Sequence, residues 1–239
     1  MLGLGEAGGR LAADLTGAGA EVQGYDPAVT PELDAPAAVA GCAVVLSVNS
    51  ASVAAAVCES VRDSLEEGVV FADLNTSAPA LKRELAGLLA GRARFVDVAL
   101  LGPVPVRGLA TPALASGPGA AAFAALLGPL GMPVEVVSEL PGDAARRKLL
   151  RSVFMKGIAA AALESLQAAG VSGEADWLEG ELAEVLGRPL LDRLVEGSRR
   201  HAVRRVEEME AATDLLRELG VEPRIAGAAA GVLAELAET

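Results

Sequence analysis

Within the first eight residues, MLGLGEAG, Gly3, Gly5 and Gly8 form a G-x-G-x-x-G run that opens directly into the apolar helical pattern GGRLAADLTGAG. No other feature constrains the chain as much. The first glycine permits a tight strand-to-helix turn, the second lets backbone approach a pyrophosphate, and the third lets the helix pack closely on a strand. Leu4, Glu6 and Ala7 complete the loop. The helix start behind it offers unpaired N–H groups and a positive dipole end to phosphate. After the helix, the strand-like run EVQGYD ends in Asp26, about twenty residues on, where an acid meets an adenosine ribose hydroxyl in dinucleotide sites. Only Met1 and Leu2 precede Gly3, whereas a strand usually has about five or six residues. Either the chain begins late or its first strand is unusually short.

From residue 7 to about 140, strand-like and helix-like segments alternate. CAVVLSV (42–48), VVFADLN (69–75) and ARFVDVALL (93–101) are apolar, β-branched runs of the kind buried on both faces of a sheet; ALAS (113–116) and PVEVV (133–137) are shorter strands. Helical runs lie between them, and GPVPVRGLATP reads as a loop. This order predicts an α/β fold, a Rossmann-type, doubly wound, mostly parallel sheet over residues 1–140 that binds NAD(P). Residues 141–239 read as an all-helical domain, to which the family resemblance given below assigns substrate binding and dimerisation. It is entered by the long helix PGDAARRKLLRSVFMKGIAAAALESLQAAG, and PLLDRLVEGSRRHAVRRVEEMEAATDLLRELG is helical by period throughout.

A net charge of −12 argues against nucleic-acid and anionic-membrane partners, and 52% hydrophobic residues suffice for a substantial core. Cys42 and Cys58 lack metal spacing and read as small apolar core residues; no His/Cys/carboxylate grouping predicts a metal. Trp177 reads as packing. With no leader pattern and no clean membrane span, the cytoplasm is the default location.

Ligands of such sheets bind at the carboxyl ends of strands. Asn49 follows one strand, and D-L-N-T-S-A-P, with Asp73, Asn75, Thr76 and Pro79, follows another. Taken alone, that run reads as an N-capped helix start. Lys148 and Ser152 lie four residues apart on one face of the long helix. The lysine reads either as an ordinary snorkelling side chain or as a group desolvated at a domain interface for proton transfer. Lys156 lies off that face. The single histidine, His201, shares a helical face with Arg205 and Glu208, which suits a solvated charged face or a polar cluster in a cleft.

The order GLGEAG, YD, DLNTSAP, FVDVALLGPVP and a lysine helix resembles the 3-hydroxyisobutyrate and 6-phosphogluconate dehydrogenase superfamily of β-hydroxyacid dehydrogenases. The ending HAVRRVEEME resembles a branch of it with its own helical C-terminal domain. The resemblance implies an NAD(P)-dependent oxidoreductase that moves a hydride between nicotinamide and a small hydroxy or oxo acid. Lys148 would be the general acid/base. The glycine loop, Asp26, Asn49 and Asn75 would hold the cofactor, with NAD favoured over NADP because Asp26 repels a 2′-phosphate. Thr76, Gly102, Ser152, His201, Arg205 and Glu208 would meet substrate. The family's D-x-S-T-x-x-P has asparagine here for serine, Leu101 stands where its substrate-binding serine would be, and Ser152 replaces its asparagine. Of its later lysine–aspartate pair only the acid is kept, in Glu207 and Glu208. The family's helical domains usually pair, so a homodimer is expected, and the alanine-rich stretches 158–169 and 226–234 suit close helix packing. Imine reductases usually alter the lysine position, so Lys148 speaks against that chemistry. The alternative of a different class is a dinucleotide-binding sensor or structural subunit with little catalysis.

Overall fold

The computed structural model describes residues 1–238. Five strands form one sheet in chain order: β1 (Val44–Ser47), β2 (Val69–Asp73), β3 (Ala93–Leu100), β4 (Ala113–Ser116) and β5 (Val134–Ser138). β1, β2 and β3 are parallel, β4 runs against β3, and β5 is parallel to β4. Between them lie α1 (Glu6–Gly17), α2 (Ala35–Val39), α3 (Ala54–Val61), α4 (Pro79–Leu88), α5 (Val104–Arg107) and α6 (Ala120–Leu127). The strands alternate their side chains between two cores. Val70, Ala72, Val96 and Val98 pack with Leu11 and Leu15 of α1 and Phe123 and Leu127 of α6. Val69, Phe71 and Phe95 pack with Cys58 and Val61 of α3 and Leu85 of α4. A sheet covered on both faces needs such apolar strands, and every residue of β2 is buried. β4 reverses because residues 101–112 hold only α5 and a further single turn, and Leu101 N–H closes on the Pro112 carbonyl at 2.8 Å.

The leading strand is a single residue. Leu2 bridges Tyr25 on one side and Ser47 on the other, both parallel. Its ladder consists of Leu2 N–H to Leu46, Val48 N–H to Leu2, Tyr25 N–H to Met1 and Gly3 N–H to Tyr25, each 2.8 Å. Of EVQGYD, read as strand-like, only Tyr25 pairs, through its bridge to Leu2. GPVPVRGLATP, expected as a loop, contains the one-turn α5.

The chain divides into two compact units, Met1–Lys148 and Leu149–Thr239, with the boundary inside α7 (Asp143–Ser172). The second unit continues with α8 (Ala175–Leu186), α9 (Arg188–Arg200), α10 (Ala202–Glu218) and α11 (Arg224–Ala237). Leu149, Ala160, Met209, Ala212, Leu215, Ala226, Ala229 and Leu233 form its main core. The expected continuous helix through His201 is broken there: His201 takes φ −126°, and α9 ends on Arg199 and Arg200 before α10 begins. Trp177, expected as packing, is 62% exposed.

Candidate functional site

The three loop glycines meet different surroundings. Gly3 has φ +101°, and a side-chain carbon there would lie 2.1 Å from the Val48 carbonyl oxygen. A carbon on Gly8 would lie 2.0 Å from the Gly3 carbonyl oxygen. Gly3 and Gly8 therefore close the turn onto β1 and onto itself. Gly5 is the N-cap of α1 with no side-chain cap, and a carbon on it would meet nothing within 4 Å. The N–H groups of Glu6, Ala7 and Gly8 precede the first intrahelical bond, Gly9 N–H to Gly5. Open space over Gly5, at a helix start with donors to spare, fits the diphosphate of a dinucleotide. Asp26 braces this loop, its carboxylate accepting from Leu4 N–H at 2.8 Å and from Ala28 N–H at 2.9 Å. A carboxylate has about four acceptor positions, so two remain for a ribose diol.

Beside Val48 the loop continues into a polar cluster. Asn49 N–H donates to Asn75 Oδ1 at 2.6 Å, and Asn75 Nδ2 returns a bond to Asn49 Oδ1 at 2.8 Å. Asn75 Nδ2 also donates to Asp73 Oδ1. These bonds contradict the reading of DLNTSAP as an N-capped helix start: the N-cap of α4 is Ala78, with no side-chain cap, and Pro79 opens the helix. The side chains of the run are turned to other work. Thr76 Oγ1 accepts from Lys148 Nζ at 2.6 Å. Lys148 is half-buried, on the first turns of α7.

Beneath this lies a row whose register, and whose lysine, sequence reasoning missed, although Asp73 was singled out at the end of its strand. Ser47, Asp73, Asp97 and Ser116 pair in register across β1 to β4, and all four are fully buried. Lys82 of α4, also fully buried, donates to Asp73 Oδ2 at 2.6 Å, to the Asp73 carbonyl at 2.9 Å and to the Asn75 carbonyl at 2.8 Å. Its ammonium lies 3.3 Å from Asp97 Oδ1. Burial alone would lower the Lys82 ammonium, but Asp73 and Asp97 outweigh it and hold it above its ordinary value. Asp97 Oδ2 accepts from Gly142 N–H, Ala145 N–H and the Ser116 hydroxyl, and Ser116 Oγ accepts from Ala144 N–H. The start of α7 is thus capped by the sheet. One polar residue inside each of several apolar strand runs was the signal available in the sequence.

Gly102 sits beside Arg107 and Thr111 in the turn between β3 and β4, while Leu101 packs with Ala99, Leu114 and Ala144. In the second unit, Glu208 accepts from Ser152 Oγ and, at 2.8 Å, from Lys156 Nζ. Lys156, set aside on helical spacing, therefore joins this cluster; burial lowers its ammonium, with Glu208 opposing. Arg205 donates to Ser198 of α9, and His201 stands at the break between α9 and α10 rather than on their common face. Among the described residues, no group of three or more His, Cys, Asp or Glu could hold a metal, and no helix is long and apolar enough to cross a membrane.

Sheet, glycine turn and trailing helices define a Rossmann-type domain followed by a helical unit. Residues 167–236 match the family described as Domain of unknown function (DUF1932). The chain is similar in structure to a conserved hypothetical protein from Sinorhizobium meliloti, with a TM-score of 0.74 and 32% identity, over 98% of this chain and 86% of that one. At 27% identity and TM-score 0.74, over 99% and 95%, the chain is similar to a conserved protein of unknown function described as structurally similar to 3-hydroxyacid dehydrogenases. The chain belongs to the same family as the Sinorhizobium meliloti protein, and its structural neighbours are 3-hydroxyacid dehydrogenase-like. The same fold recurs at 20% identity in a Salmonella typhimurium 3-hydroxyisobutyrate dehydrogenase (TM-score 0.81, over 98% and 92%). It recurs at 19% in an Aspergillus terreus reductive aminase in complex with NADPH (TM-score 0.65, over 99% and 92%). A curated relative, an uncharacterized 28.5 kDa protein of Methanothermus fervidus, is 31% identical over 143 residues; the match spans 59% of this chain and about half (55%) of that protein.

Proposed function

We propose that the protein is a nicotinamide-dinucleotide-dependent oxidoreductase acting on a small hydroxy or oxo acid, with Lys148 as general acid/base. The observation that carries this is the Lys148–Thr76 bond of 2.6 Å. It stands next to the Asn49–Asn75 pair, at the carboxyl ends of β1 and β2, in direct continuity with the glycine turn. The turn and the α1 start would hold the diphosphate, Asp26 the ribose, and Asn49 and Asn75 the nicotinamide side. Bound there, the cofactor supplies or takes up the hydride. Lys148 gives a proton to the substrate oxygen in reduction and removes it in oxidation; Thr76 holds its amine in place meanwhile. Leu101 packs in the core, so a substrate carboxylate must be recognised elsewhere. Asp26, with no basic residue at Pro27 or Ala28, supports NAD; the NADPH of the reductive-aminase neighbour supports the phosphorylated form.

Calorimetric titration with NADH and NADPH in parallel tests the loop. Tight binding of at least one is expected, and binding of neither would sink the proposal. Lys148→Ala tests the chemistry: dinucleotide affinity stays within about threefold of the parent, while turnover on a hydroxy- and oxo-acid panel falls by about 100-fold or more. Full turnover in that variant would leave a dinucleotide-binding protein whose chemistry lies elsewhere.

A further inference from the structure

The row under the site contains a cation that bonds the segment leading into Thr76 and faces Asp97 of β3, which in turn caps the segment that carries Lys148. Lys82 holds the Asn75 carbonyl, which is half of the peptide bond into Thr76, at 2.8 Å. It holds both the carbonyl and the carboxylate of Asp73, which in turn accepts from Asn75. On the other side its charge faces Asp97, whose second oxygen caps Gly142 and Ala145, three residues before Lys148. Gly142 at φ +99° lies where a side-chain carbon would strike the Pro79 carbonyl oxygen at 2.9 Å, so the two segments also meet directly. Stability alone is a weak reason for such an arrangement. Taking an ammonium and two carboxylates out of water is costly, and apolar groups of the same volume often serve a core as well or better.

We infer that Lys82 is a positioning residue, fixing the Asn75–Thr76 turn and the first turn of α7 on one cation and so setting the Thr76–Lys148 geometry. This rests on the proton-transfer role proposed for Lys148. A displacement of about 1 Å at a reacting group costs on the order of 100-fold in rate, and that is the precision a buried three-donor anchor supplies.

The chain has three lysines, Lys82, Lys148 and Lys156, which makes the test direct. Reductive ¹³C-methylation gives Lys148 and Lys156 separate resonances, assigned with K148R and K156R. Lys82→Met leaves Asp73 unpaired and can fail to fold; the double variant K82M/D73N removes one charge of each sign and serves as the second probe. In the folded variant the Lys148 methyl resonance should move by more than its linewidth, while Lys156, in the other unit, stays. With any substrate that wild type turns over, kcat should fall at least about tenfold and the dinucleotide KM should stay within about threefold. An unmoved Lys148 resonance in a folded variant overturns the inference and makes Lys82 purely structural. If wild type consumes no cofactor with any substrate, the functional proposal fails, and the lysine spectra still decide whether Lys82 positions Lys148.

Discussion

Gly3, Gly5 and Gly8 are alike in sequence and unlike in surroundings, so alanine at each should report a different quantity. At Gly5 the backbone (φ −61°, ψ −170°) suits any residue and the added carbon meets nothing. Gly5→Ala should therefore cost about 1 kcal/mol or less, the loss of a favoured N-cap, while filling the space proposed for phosphate. Gly8→Ala drives a carbon against the Gly3 carbonyl oxygen and should cost about 2–4 kcal/mol. Urea unfolding beside calorimetric dinucleotide binding separates the two: G5A binds at least about tenfold more weakly at near-parental stability, whereas G8A loses stability. Equal affinity in G5A and parent would remove the diphosphate from this loop. The glycine run was legible because a missing side chain is itself the signal. Lys82 was not legible, because a lysine one turn into an amphipathic helix reads as snorkelling until its buried partners are known. Lys156 was set aside for a related reason: helical spacing shows which side chains share a face, and its partner Glu208 comes from another helix.

At the scale of elements, the alternation of strands and helices announced the sheet, and the apolar runs of β1, β2 and β3 announced its burial. Their order across the sheet was not in the periodicity. The register that aligns Ser47, Asp73, Asp97 and Ser116 depends on how parallel strands slide against each other, which local sequence does not record. Nor did periodicity show the break at His201, because the pattern is helical on both sides of it. The row and the α10 cluster predict opposite responses to alkali. Lys82 is held above its ordinary 10.5, so the folded state keeps its proton longer; its contribution is complete below pH 10.5 and is lost as pH climbs through the folded value. Lys156 lies below 10.5 in the folded state, so its penalty is relieved as pH rises towards 10.5. Urea midpoints across this range should therefore fall less steeply above pH 10.5 in K82M/D73N than in wild type. Lys156→Met should remove a rising component below that pH. An unchanged alkaline limb in K82M/D73N would mean that Lys82 carries no net folded-state proton affinity.

At the scale of the molecule, the helical unit poses the remaining question: what meets its outer surface. The alanine-rich stretches 158–169 and 226–234 looked suited to pairing between subunits, yet Ala159, Ala160, Ala162, Ala169, Ala226 and Ala229 are buried within the chain itself. On its outside, Phe154, Val171, Trp177 and Val185 are 62–89% exposed. Exposed aromatic and aliphatic side chains of this size are what a subunit interface collects. A second copy of the chain is the partner we propose for them. Sedimentation equilibrium at micromolar concentration should return twice the 24.0 kDa chain mass. Trp177 is the single tryptophan, so its emission should shift to the blue as the dimer forms on concentration. Trp177→Glu places a charge where desolvation would be needed and should return the mass to 24.0 kDa without lowering the unfolding midpoint of the monomer. A wild-type chain that sediments as a monomer throughout would refute the dimer. A dimer indifferent to Trp177→Glu would leave the pairing but move it away from Trp177.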